Sequence, residues 1–231
     1  MPPESLLSDL GKHEAGNYSQ AGEEGVIGRI FEAIGTTNRF CVEFGAWDGL
    51  HFSNTARLRI DHGWSGLLLE GDAEKSQAPG VVHALVTAEN IEPLFWEHGV
   101  PDCFDLLSID IDGNEYWVWK AIEHFRPRVV VIEYNIFFGI GVRKSMPYDP
   151  EHVWDKSLYH GASLGALHQL GREKGYSLVY TESFAPNAFF VLDSELPASL
   201  RDRPLEELAT WTWHGPDAEP PPEPGRPWVT V

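Results

Sequence analysis

The sequence predicts an α/β protein built on a doubly wound, mostly parallel seven-stranded sheet that ends in an antiparallel hairpin. Three observations carry this expectation. Short apolar runs recur along the chain with helical stretches between them. The runs are apolar at successive positions rather than alternating, which marks strands covered on both faces by crossover helices. The last two runs are joined by a short Pro/Asn loop, a connection that only an antiparallel pair accommodates.

Taken in order, Glu23 to Ile34 sets Val26, Ile27, Ile30, Phe31 and Ile34 on one helical face, and Gly35 stops it. Arg39 to Phe44 (RFCVEF) is the first strand, Ser53 to Ile60 a helix ending near Gly63, and Trp64 to Glu70 (WSGLLLE) the second strand. Val81 to Val86 reads as a third strand, and Asn90 to His98 as a helix capped by its asparagine. Phe104 to Asp110 (FDLLSID), a helix over Glu115 to Phe125, and Arg128 to Glu133 (RVVVIE) follow. Ser163 caps a last helix that runs to Lys174 and stops at Gly175, and Tyr176 to Tyr180 with Ala188 to Leu192 form the hairpin. Residues 1–210 read as one domain, and 211–231 as a Pro-rich acidic tail flanked by Trp211, Trp213 and Trp228.

Composition narrows the function. The chain has 231 residues and a formal net charge of −18, which repels phosphate and argues against nucleic-acid and anionic-membrane binding. Cys41 and Cys103 are the only cysteines, so no disulfide framework is expected. No basic-then-apolar leader opens the sequence, and no apolar run approaches the ~20 residues that span a bilayer; a cytoplasmic protein is expected.

In doubly wound sheets ligands bind beyond the carboxyl ends of the strands, so the residues there carry the chemistry. After the first strand comes Glu43-Phe44-Gly45-Ala46-Trp47-Asp48-Gly49, in which Gly45 and Gly49 either let backbone approach a ligand or simply make a tight turn. A dinucleotide fingerprint is excluded, because its second glycine falls on Trp47. After the second strand, Glu70-Gly71 offers a carboxylate for a ribose diol. After the fourth, alternation places Asp110 and Asp112 on one face; after the fifth come Glu133 and Asn135. Asp110, Asp112, Glu133 and Asn135 form an oxygen-rich set suited to Mg²⁺ or Mn²⁺, although Asp112 with Glu115 also reads as an ordinary helix start.

Five segments together resemble FkbM-type S-adenosylmethionine-dependent methyltransferases: SQAGEEG (Ser19 to Gly25), CVEFGAWDG (Cys41 to Gly49), GWSGLLLEGD (Gly63 to Asp72), LLSIDIDGNEYWVW (Leu106 to Trp119) and VVVIEYN (Val129 to Asn135). The order of elements, with its terminal hairpin, is likewise similar to the class I methyltransferase (Rossmann-like) sheet. The resemblance spans roughly residues 17 to 192 and implies S-adenosylmethionine as cofactor, held by Gln20, Glu43, Gly45, Gly49, Glu70, Gly71 and Asp110. It also implies O-methylation of a small molecule, sugar or natural product. IDIDG stands where other members carry ID-[IV]-EG, a departure at Asp112.

Asp110, Glu133 and His160 are the catalytic candidates, with His51 a second histidine near the glycine loop. Residues 136–160 hold Phe137, Phe138, Arg143, Tyr148, Trp154 and Tyr159, and a loop of this length reads as a substrate lid or as packing. Trp47, Trp117 and Trp119 are expected mostly in the core. Two other readings stay open: a non-catalytic S-adenosylmethionine-binding partner subunit, and a metal-dependent enzyme that uses this fold for another reaction.

Overall fold

The computed structural model describes residues 3–184, 186–210 and 215–231, so Trp211 and Trp213 lie outside the described residues. In chain order the elements are α1 (Pro3–Leu7), α2 (Glu23–Ile34), β1 (Phe40–Phe44), α3 (Ala56–His62), β2 (Ser65–Glu70), β3 (Val81–His83), α4 (Ile91–Glu97), β4 (Cys103–Ile109) and α5 (Glu115–Ala121). They continue with β5 (Arg126–Glu133), β6 (Lys144–Ser145), α6 (Leu164–Lys174), β7 (Tyr176–Thr181), β8 (Asn187–Leu192), α7 (Leu205–Leu208) and β9 (Val229–Thr230).

The main sheet has seven strands in the order β3-β2-β1-β4-β5-β8-β7. β1 pairs parallel with β2 and β4, β2 with β3, and β4 with β5, whereas β8 runs antiparallel to both β5 and β7. This is the mostly parallel sheet with a terminal hairpin that the sequence predicts. Both faces are covered, and the strand period of two sorts side chains between them. Val130 and Ile132 join Phe44, Phe95, Phe104, Trp119 and Phe190 on one face; Val129 and Val131 join Ile27, Ile30, Trp64 and Phe189 on the other. At the amino ends of the strands, the fully buried Asp105 accepts hydrogen bonds from Thr37 and from the Arg128 guanidinium (2.8 Å), which pins β4 and β5 to the loop before β1. No described helix is long and apolar enough to cross a membrane.

Several local expectations shift. The helix expected from Ser53 starts at Ala56; Ser53 Oγ accepts from Ala56 N and, like Thr55 Oγ1, donates to Glu43. Asn90 precedes α4 but does not cap it: its amide oxygen accepts from Thr87 N and its NH₂ donates to Leu85 O, bracing the incoming loop. The helix expected to reach Phe125 ends at Ala121, and the third strand ends at His83. Ser163 caps α6 as expected, accepting from Ala166 N.

The proline-rich tail is docked along the segment 136–160. β9 pairs with β6, Gly139 N donates to Ala218 O and Gly141 N to Pro216 O. Trp228 packs against Phe138 and Tyr159, each with ring centroids 4.7 Å apart, and Arg226 pairs with Asp155. A Cβ at Gly139 would lie 2.2 Å from Gly215 O, so glycine is what lets the tail close in. The expected lid therefore carries a strand and buried Phe138, Val142, Ser145 and Met146.

Candidate active site

The candidate site lies where the chain leaves β1 toward β2 on one side while β4 and β5 lie on the other, the switch point of a doubly wound sheet. Gly45 has φ +65°, and a Cβ there would sit 1.7 Å from the Asp110 carbonyl oxygen. The glycine thus lets the β1 loop press directly on the end of β4. Glu70 holds the other side: Oε2 accepts from Trp47 N and Oε1 from Asp72 N, both at 2.8 Å. Each oxygen retains a lone pair for a ligand hydroxyl. Gly49 has φ +72°, with its carbonyl bound by the Arg59 guanidinium, and Gly71 follows at the end of β2.

Glu43, expected at the cofactor, is turned inward. Ser53 Oγ and Thr55 Oγ1 donate to Oε2 at 2.6 Å and Asn54 N to Oε1 at 2.7 Å, and the side chain is buried. Its role is to brace the loop rather than to touch a ligand. Gln20 is exposed on the loop before α2. That loop is held by two buried glutamates of the same motif: Glu24 accepts from the amides of Tyr18 and Ser19, and Glu23 from those of Ala21 and Gly22. Trp47, expected mostly in the core, is 40% exposed at φ +48°, tilted against Phe52 with Lys75 Nζ 5.4 Å above its ring. Trp119 is in the core, and Trp117 donates to Met146 O.

At the ends of β4 and β5, Asp110, Asp112 and Glu133 each place a carboxylate oxygen within 4.8 Å of the others. Glu115, at the start of α5, is fully buried; its Oε1 accepts from Ile111 N (3.1 Å) and Gly113 N (2.8 Å), while Oε2 has no hydrogen-bond partner among the described residues. Burial, then the charges of Asp112 and Glu115, push Asp110 up to about 8. Burial raises Glu115 to about 7, and burial with the charge of Asp110 holds Glu133 well above the usual carboxylate range. These groups have a strong affinity for a proton near neutral pH.

Asn135, expected as a further metal ligand, is held by the segment that follows it. Its NH₂ donates to Leu158 O and His160 O, both at 2.9 Å, and its Oδ1 accepts from Phe137 N. It pins the start of the 136–160 segment to its end. His160 has a buried Nδ1 with no partner among the described residues, and burial followed by the proximity of His152 lowers its pKa. His152 is the site residue missed from sequence. Its Nε2 is also buried and unpartnered, and its ring lies where a Cβ on Gly113 would be 2.4 Å away. The signal was the glycine of IDIDG, which makes room for that ring. His51 lies on the surface, paired with Asp48 at 2.6 Å. A separate groove of about 460 Å³, lined by Lys12, Gly28, Arg57 and His62 among others, holds none of the expected site residues.

No protein-family model matches the chain, and no curated protein matches it. Among solved structures it is similar to the CMeT domain of the citrinin polyketide synthase, at 12% identity and a TM-score of 0.45, over 74% of this chain and 51% of that one. The chain thus spans about half the length of that relative. It is also similar to an S-adenosylmethionine-dependent methyltransferase from Clostridium acetobutylicum (10% identity, TM-score 0.38, 70% of this chain and 87% of that one). A third is the 1,6-didemethyltoxoflavin-N1-methyltransferase of Burkholderia thailandensis, solved with S-adenosylhomocysteine (12% identity, TM-score 0.43, 82% and 84%).

Proposed function

We propose that this chain is an S-adenosylmethionine-dependent methyltransferase of the FkbM type that methylates a hydroxyl group of a small molecule. The observation that carries the reading is the β1/β4 switch point, where the Gly45 loop presses on Asp110 at the end of β4, Glu70 binds Trp47 N of that loop, and Asp110, Asp112 and Glu133 gather at the neighbouring strand ends. S-adenosylmethionine, when bound, supplies an electrophilic methyl group. Glu70 fits its ribose diol, since each carboxylate oxygen is still able to accept one hydroxyl bond. In this reading Gln20, exposed on the loop before α2, and Gly71, after the end of β2, are further cofactor contacts.

On the acceptor side, Asp110 and Glu133 share a proton, and whichever carboxylate of the pair is ionised takes the hydroxyl proton as the oxygen attacks the methyl carbon and the sulfonium leaves as the thioether. His160, kept neutral by burial, is a second proton acceptor. The test is calorimetric titration of S-adenosylhomocysteine into the wild type and Glu70→Ala. Loss of two charged hydrogen bonds should weaken binding by roughly 1–3 kcal/mol. Equal affinity in the two proteins removes Glu70 from the cofactor site.

A further inference from the structure

We propose that the groove formed by α2, α3 and the turn Leu10–His13 binds the phosphate group of a small organic phosphate. The proposal goes beyond the methyl-donor reading, because this groove holds none of the residues assigned to that site. Its volume of about 460 Å³ falls within the roughly 300–1,000 Å³ typical of small-molecule sites. From α2 it takes Gly25, Gly28, Arg29 and Glu32, the face turned away from the buried stripe of Val26, Ile27 and Ile30. Lys12 comes from the turn, and Arg57 and His62 come from α3.

The charges there are divided unevenly. The acids are committed: Glu24 accepts from the amides of Tyr18 and Ser19, and Glu32 binds Arg29 Nη1 at 2.8 Å, while Asp9 accepts from Arg29 Nη2 at 3.2 Å. Lys12 and Arg57 form no ion pair with a carboxylate among the described residues, although the chain has 35 acidic side chains against 17 basic. Two unpaired cations match a phosphate monoester, whose charge is about −1.5 to −2 at neutral pH, whereas a single carboxylate leaves one of them over. The Arg57 guanidinium offers a fork of N–H donors for two phosphate oxygens, and Lys12 supplies a point charge. The net charge of −18 argues against extended polyanions, but salt screens it beyond about 8 Å, and at contact the two free cations decide.

Gly28 is a second, independent observation. It lies in the middle of the 12-residue α2, where glycine weakens a helix relative to alanine. A Cβ on Gly25 would lie 2.0 Å from His13 O, so packing demands that glycine; a Cβ on Gly28 would meet nothing within 4 Å. No contact inside the chain requires Gly28, and what its missing side chain preserves is open space in the groove. The carbon skeleton of the ligand fits there, with Ala15 and Leu58 as apolar neighbours.

The experiment titrates inorganic phosphate and ribose 5-phosphate, with ribose as the uncharged control, into the full chain by calorimetry. The expected result is saturable binding of both phosphates, one per chain, and none of ribose. Lys12→Gln and Arg57→Gln should each weaken it about tenfold or more, the loss of a charge-assisted contact. Gly28→Leu keeps both cations but fills the groove, and should abolish binding while the helix content by circular dichroism is retained. No saturable binding of either phosphate at millimolar concentration, or equal binding in all three variants, overturns the proposal. S-adenosylhomocysteine should bind the wild type and the three variants alike; its loss in parallel with phosphate overturns the assignment of this groove to a separate ligand. Phosphate binding by a chain that binds no S-adenosylhomocysteine overturns the methyl-donor reading alone.

Discussion

Replacing Glu182 by glutamine should stabilise the protein, by an amount that depends on pH. Glu182 follows β7 at the start of the terminal hairpin, is fully buried, and neither carboxylate oxygen accepts a hydrogen bond from a described residue. Its neighbour Glu23 is buried too, with Oε1 bound by the Asn187 amide at 3.0 Å and Oε2 by the amides of Ala21 and Gly22. Burial, then the charge of Glu23, raises Glu182 from 4.5 to about 9. The folded chain therefore keeps this proton to about pH 9, while the unfolded chain releases it near pH 4.5. The associated stability is fully present below pH 4.5 and is lost as pH rises toward 9. At neutral pH the loss amounts to about 3 kcal/mol, from roughly two and a half pH units at about 1.4 kcal/mol each. Glu182→Gln has nearly the same shape, does not titrate, and offers an N–H to Glu23. Denaturant unfolding of both proteins across this range should show no gap in acid, a variant more stable by about 3 kcal/mol near neutrality, and a wider gap toward pH 9. A gap that does not change with pH, or a variant less stable throughout, refutes the reasoning.

Gly45→Ala should cost more than about 2 kcal/mol, because the left-handed backbone and the clash with Asp110 O add; Gly63→Ala, also left-handed but with open space around it, should cost about 1 kcal/mol. Denaturant unfolding checks both, and equal losses would show that the contact with β4 is unimportant. Removing residues 215–231 strips β9 from β6 and Trp228 from Phe138 and Tyr159, so amide exchange across 136–160 should accelerate while affinity for S-adenosylhomocysteine is retained. Unchanged protection would mean that the tail does not hold this segment.

The sheet was legible because strands buried on both faces need continuous apolar runs, and α2 matched residue for residue because its stripe ends at Gly35. The acids at the strand ends were legible as positions but not as roles. A sequence shows Glu43 after Val42; it does not show that Ser53 and Thr55 will claim one oxygen of that carboxylate and Asn54 N the other. Asn135 looked like a ligand for the same reason, and its partners Leu158 and His160 lie across a loop whose path no local pattern encodes. His152 packs against Gly113 through its missing side chain, and the tail docked through that of Gly139. Both are close approaches between distant segments, invisible to periodicity. Trp47 was misplaced because its large apolar ring suggests burial, whereas a left-handed turn holds it toward solvent.

The central claim is that the β1/β4 switch point is a methyl-donor site facing an acidic acceptor crevice. A crystal structure of the full chain with S-adenosylhomocysteine tests it most directly. The expected result has the ribose hydroxyls on Glu70, the Gly45 loop against the ligand, and the sulfur facing the side of the crevice formed by Asp110 and Glu133. A ligand lodged instead in the groove between Lys12, Gly28 and Arg57, or no ligand bound at millimolar concentration, would contradict it.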